Sequence, residues 1–193
     1  MDGADEITIE LIKNGTESQD ILTLGLMPGM ERIGIKFREN KVFVPQVLMS
    51  AKAVSTAMIH LKPYFASGAA KQKGTFIIGT VLGDLHDIGK NLVAMMVEGN
   101  GYKVIDLGTD VNSDKFIAVL KENPDATIGL SALLTTTMVN MESITKEIKT
   151  VLPGTLVTVG GAPINSEFCN KIGSDNYSPD PQGVVEFLNK KIA

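Results

Sequence analysis

From residue 75 onward, short runs rich in apolar and β-branched residues alternate with stretches of helical periodicity, and few architectures satisfy that alternation. The runs 75–81, 103–106, 127–131 and 156–160 read as buried strands. Between them lie helical stretches at 88–98, 113–121 and 139–151, the second with Ser113 as its expected N-cap. A fifth strand is expected at 176–178 and a final helix at 181–190. Strands joined by crossover helices pair in parallel and are covered on both faces. The expected fold class is therefore α/β, with a doubly wound, Rossmann-like parallel sheet. In such sheets ligands bind beyond the carboxyl ends of the strands, where the strand order reverses.

The first third of the chain has a different period. Val47, Ala51, Val54, Met58 and Leu61 recur at helical spacing, with Pro45 in the first turn and Pro63 placed just past the expected end. Met30, Ile33 and Phe37 form another apolar stripe, and Pro28-Gly29 marks a kink or a start within 24–30. Ile7, Leu11 and Ile12, closed by Gly15, suggest a short first helix. Ser67 to Gly74 has no apolar periodicity. The expected organisation is a helical bundle over 1–66, a linker over 67–74 and the sheet domain over 75–193.

The 193 residues are 44% hydrophobic and 21% charged, with a net charge of -4, which leaves no basic footprint for nucleic acid or an anionic membrane. No nucleic-acid or membrane partner is expected. The lone Cys169 cannot form an internal disulfide, the chain opens on acidic residues rather than a signal-like segment, and no apolar run is long enough to cross a bilayer. These features predict a cytoplasmic protein, with Cys169 a buried or incidental thiol.

Three loops at the expected ligand edge carry unusual residues. Gly83-Asp84-Leu85-His86-Asp87-Ile88-Gly89-Lys90-Asn91 follows the first strand and holds one of only two histidines. A carboxylate two residues before an imidazole can hold one ring nitrogen while the other binds a metal. Ser131-Ala132-Leu133-Leu134-Thr135-Thr136-Thr137 follows the third strand and Gly160-Gly161-Ala162 the fourth, giving hydroxyl donors beside a place where a bulky ligand can approach backbone. Gly79, Gly83 and Gly89 lack the G-x-G-x-x-G spacing, so a dinucleotide is not indicated. Plainer readings exist for each feature. A lone histidine at a strand end is more often structural, and His60 reads as a surface or C-terminal capping residue. Thr135 or Thr136 could be a helix N-cap, a double glycine is usually a turn, and Phe37, Val44 and Val47 have core spacing. Asp84 with Asp87 could also form the acidic pocket of a phosphoacceptor domain.

Taken in order, Asp84-x-His86-x-x-Gly89, Ser131-x-Leu133 and Gly160-Gly161 resemble the three motifs of cobalamin-binding proteins. Upstream, Gly25-Leu26-Met27-Pro28-Gly29-Met30 and Phe43-Val44-Pro45-Gln46 resemble the helical cap of methyl-carrying corrinoid proteins and of cobalamin-dependent methionine synthase. The resemblance implies cobalamin or a related corrinoid as cofactor. His86 would be the lower axial ligand of cobalt in place of the cofactor's own base, and Asp84 would hold its other nitrogen, within a loop that includes Leu85, Asp87, Ile88 and Gly89. Thr137, with Thr136 as substitute, would extend that chain. Ser131, Thr135, Gly160, Gly161 and Ala162 would line the slot for the displaced nucleotide tail, with Tyr177 and Ser178 at its far end, and Leu133 of the second motif would also bind the cofactor. Phe37, Val44 and Val47 would form the apolar cap over the methyl face.

The implied function is that of a methyl carrier without a catalytic residue of its own. It would take a methyl group on cobalt from a substrate-specific methyltransferase and give it to a second methyltransferase with a thiol or folate-type acceptor, with a reductive activator protein as a further partner. Release of His86 from cobalt at each transfer would let the His-Asp pair take up a proton. Two other readings share the lower-face motifs: a cobalamin-binding subunit of an adenosylcobalamin-dependent mutase, which generally lacks such a cap, and a cobalamin-sensing regulator, which needs a basic output element that residues 1–66 do not show.

Overall fold

A computed structural model describes residues 2–192 and divides the chain into two compact units. One comprises the residues up to Lys73 together with Met95–Tyr102; the other comprises Gly74–Ala94 and the residues from Lys103 onward.

The first unit is helical. α1 (Asp2–Lys13) ends at Gly15, whose φ of 79° closes the helix with an N–H to Ile12 O bond. It buries Thr8 while Ile7 stays largely exposed, so the packed face is not the one its isoleucine suggests. A single turn, α2 (Ser18–Asp20), runs into a π-helical segment, Ile21–Leu26, and then into α3 (Met27–Arg38). The Met27 N–H reaches back five residues to Leu22 O, and Pro28, which has no N–H to give, falls in the first turn of α3. The expected irregularity in 24–30 is thus a widened turn followed by a helix start.

α4 (Val44–Ser67) packs against both α1 and α3 and buries Val47, Ala51, Val54, Ala57, Met58 and Leu61. Gln46 Oε1 accepts the Phe43 N–H at 3.0 Å and fixes its start. The expected end at Pro63 is wrong: the helix continues through the proline to Gly68, whose φ is 79°. Burial of Leu61 and the closing bond from Ala70 N–H to Tyr64 O outweigh the one backbone bond a proline removes. In the same unit Gly99 leaves room for Met30, whose Cγ would lie 2.6 Å from a Cβ at that position.

The second unit is the expected doubly wound sheet. β1 (Thr75–Thr80), β2 (Lys103–Asp106), β3 (Thr127–Ser131), β4 (Val157–Gly160) and β5 (Asn176–Tyr177) are all parallel, in the order β2-β1-β3-β4-β5. The connecting helices are α5 (Ile88–Gly99), α6 (Ser113–Glu122), α7 (Met138–Val151) and α8 (Ser166–Ile172), with α9 (Pro181–Ile192) after β5. Ile77, Phe116, Ile128, Met141, Ile148 and Val157 are fully buried between the layers. Val81, expected inside β1, forms only an isolated bridge with Val111.

One further local expectation fails, and one helix goes unannounced. Ser113 does not cap α6; Asn112 does, its Oδ1 accepting the Lys115 N–H at 3.0 Å. α8 is not signalled by apolar periodicity because it is only seven residues long, and the Asn165 cap at its start, which accepts the Phe168 N–H at 2.8 Å, was the available signal.

Candidate functional site

The chain leaves β1 for β2 on one side and reaches β3 on the other, so the strand order reverses between β1 and β3. Thr80 and Ser131 are register partners at that point. The loop carrying His86 follows the first and the loop carrying Thr135 to Thr137 follows the second.

Asp84 joins the two loops. Its side chain is fully buried, and its carboxylate accepts five hydrogen bonds. Oδ1 takes the His86 N–H at 3.1 Å and His86 Nδ1 at 2.7 Å. Oδ2 takes the Leu133 N–H at 2.8 Å, the Leu134 N–H at 3.2 Å and the Thr137 hydroxyl at 2.8 Å. Burial alone would push the carboxyl up. The Leu133 amide, the His86 ring and backbone and the Thr137 hydroxyl outweigh it and hold the group well below the usual carboxylate range.

An ionised carboxylate only accepts, so His86 Nδ1 carries the hydrogen and Nε2 is the ring nitrogen left for a ligand. The ring is about half exposed, with a side-chain exposure of 51%. This is the arrangement of a metal-ligating histidine whose tautomer a carboxylate fixes. A single imidazole supplies one ligand, which suits a metal whose remaining positions come with its own macrocycle.

The surroundings fit such a group. Leu82, Leu85, Ile88, Leu133, Leu134 and Val139 sit on these two loops and the first turns of α5 and α7, and all are exposed, Leu85 at 73% and Ile88 at 75%. Exposed apolar side chains gathered at a sheet's ligand edge mark a surface meant to be covered. Leu82, Leu134 and Val139 were not among the expected residues, because the sequence shows their apolar character and not their exposure. Asp87 turns away from the ring: its carboxylate accepts Asn91 Nδ2 at 3.0 Å, while Asn91 Oδ1 and Asp106 receive the Lys90 ammonium at 2.6 and 2.5 Å. No pocket of paired acids forms. Gly89 is exposed at the start of α5.

The residues expected to hold a nucleotide tail lie along the same edge. Ser131 pairs with Gly160, and Val159 with Tyr177, so the ends of β3, β4 and β5 present them in sequence across the sheet. Gly161 has φ 135°, and a Cβ there would fall 1.8 Å from Ala132 O, so only glycine fits. Ala162, Thr135 and Thr136 are exposed, Tyr177 is half-buried, and Ser178 is buried with its Oγ accepting Asn176 Nδ2 at 2.8 Å. Among the three threonines it is Thr137 that meets Asp84. Thr137 also occupies the N-cap position of α7, but its side chain makes no cap bond there. Phe37 and Val44, at the end of α3 and the start of α4, are half-buried, whereas Val47 is fully buried.

His60 departs from its expected role. It lies within α4, not at its end, and its Nε2 is 2.6 Å from Asp5 Oδ1 of α1. Cys169 is buried, with its sulfur 3.1 Å from Ser174 Oγ.

Known proteins resemble this chain along most of its length. Two family models, each described as a B12 binding domain, match residues 1–62 and 74–179. A corrinoid protein of Desulfitobacterium hafniense is 36% identical over 98% of this chain and 92% of its own length. The trimethylamine corrinoid protein 1 of Methanosarcina acetivorans is 37% identical over 94% and 86%. A solved structure of the methanol:cobalamin methyltransferase complex MtaBC of Methanosarcina barkeri superposes with a TM-score of 0.83 at 30% identity, covering 94% of this chain and 70% of that one. With similarity running nearly its whole length, the chain belongs to the methyltransferase corrinoid proteins, and its cofactor is cobalamin or a related corrinoid.

Proposed function

We propose that in this corrinoid methyl carrier His86 Nε2 would hold the cofactor's cobalt, with Asp84 and Thr137 tuning the ring from behind. The observation that carries this is the pairing of Nδ1 with a buried, fully hydrogen-bonded carboxylate while the ring remains half exposed. When bound, the cofactor supplies a cobalt centre that accepts a methyl group and gives it up again. The chain's own residues do the rest. Asp84 fixes the Nδ1–H tautomer and raises the donor strength of Nε2. Leu82, Leu85, Ile88, Leu133, Leu134 and Val139 would meet the macrocycle and keep water from it. Ser131, Thr135, Thr136, Gly160, Gly161, Ala162, Tyr177 and Ser178 line the slot for the tail. Phe37, Val44 and Val47 would serve as the apolar cap, and residues 67–74 would be the linker between 1–66 and 75–193.

The donor substrate is held by a partner methyltransferase, and a second methyltransferase with a thiol or folate-type acceptor takes the methyl group. A reductive activator protein would be a further partner. The relatives are corrinoid proteins, which disfavours the mutase-subunit and regulator readings. Among the described residues no helix is long and apolar enough to cross a membrane; the proposed place of work is the cytoplasm.

The test is to load the protein with methylcobalamin and compare its visible spectrum with that of His86→Ala. The expected result is a histidine-coordinated spectrum in the wild type and a base-free one in the variant. Identical spectra would remove His86 from the coordination sphere.

A further inference from the structure

We propose that Asp110, at the end of the segment after β2, is a positioning residue that sets where the His86 ring stands. The inference rests on the reading of His86 as a cobalt ligand. Asp110 is one of two non-glycine residues with positive φ among those described, at 56°. Its N–H donates to Asp84 O at 3.0 Å, and its Oδ1 accepts the Gly83 N–H at 2.7 Å. It therefore grips Gly83 and Asp84 from both sides through their main chain.

Other groups hold the neighbouring peptides. Asn140 Nδ2 donates to Leu82 O at 2.7 Å, and the buried Thr80 hydroxyl donates to His86 O at 2.9 Å. The carboxylate of Asp84 is fixed by donors from the loop after β3, and its backbone is fixed by Asp110 from the loop after β2. The ring of His86, two residues on and tied to the same carboxylate, has its position determined by these two anchors. Few residue types can serve at 110. The left-handed region is open mainly to Gly, Asn and Asp, and of these only Asn and Asp also bring an acceptor for the Gly83 N–H. Asp110 acts through the loop and not through the metal. It differs in this from Asp84, which touches the ligating ring.

Two variants separate acceptor from backbone. Asp110→Gly keeps the left-handed conformation and deletes the acceptor; Asp110→Asn keeps both. Each is loaded with methylcobalamin, and the ratio of histidine-coordinated to uncoordinated cofactor is read from the visible spectrum, with the melting temperature of the apoprotein measured alongside. The expected result is a roughly tenfold fall in that ratio for Asp110→Gly, the size of one lost hydrogen bond to a carboxylate, and a wild-type ratio for Asp110→Asn. A wild-type ratio in Asp110→Gly, whatever its melting temperature, overturns the proposal and leaves His86 as the ligand. A wild type without histidine coordination overturns both. If Asp110→Gly does not fold, amide hydrogen exchange in the wild-type apoprotein decides: a protected Gly83 N–H supports the clamp, and exchange at the free-peptide rate refutes it.

Discussion

The two histidines of the chain make an instructive pair. His86 Nδ1 lies 2.7 Å from Asp84 Oδ1, and His60 Nε2 lies 2.6 Å from Asp5 Oδ1. By distance the contacts are equivalent. Asp84, however, has no exposed side-chain surface and receives three donors besides the two from His86, while Asp5 and His60 are each about one-third exposed and bridge two helices. The first carboxylate cannot leave without orphaning buried donors. The second can exchange its partner for water at little cost. A histidine–aspartate contact becomes a ligand-holding device through what encloses the carboxylate and through which ring nitrogen is spent.

The sharpest way to break that comparison is to remove the two aspartates in turn. Asp84→Ala strands the Leu133 and Leu134 amides and the Thr137 hydroxyl, and should cost about 3 kcal/mol in urea unfolding of the apoprotein. The same carboxylate gives an acid signature. Its folded pKa lies below the ordinary value near 3.8, so its contribution is complete above that value and fades as pH falls through and below it. Unfolding free energy measured between pH 5 and pH 3 (both about the ordinary carboxylate range) should fall less steeply in Asp84→Asn than in the wild type. Thr137→Val comes next. Its hydroxyl has one proton for two acceptors, Asp84 Oδ2 at 2.8 Å and Leu134 O at 2.9 Å, and its loss should cost about 1–2 kcal/mol in the same assay. Asp5→Ala should cost under about 1 kcal/mol, and less in high salt. A loss as large as that of Asp84→Ala would erase the distinction.

The sheet was legible because buried parallel strands and their crossover helices impose two different periods on the same stretch of chain. The ligand edge followed from topology, and the spacing of Asp84, His86 and Gly89 could be read directly. What escaped reading depends on distance in sequence. Nothing near Asp110 announces that its acceptor is needed by Gly83, 27 residues earlier, and nothing near His60 announces Asp5, 55 residues away. Thr137 and Thr136 look alike in composition; the family resemblance put Thr137 first, and in the fold it is Thr137 that donates to the Asp84 carboxylate. Pro63 misled for a related reason. The rule it breaks is local, and the packing that overrides it is not.

The double glycine after β4 looks symmetrical on paper and is not. A methyl group at Gly160 would meet nothing closer than Ser178 O at 3.5 Å, an ordinary contact, whereas one at Gly161 would overlap Ala132 O. The protein itself bars every side chain from the second position, whereas at the first any demand for glycine comes from what the slot is proposed to hold.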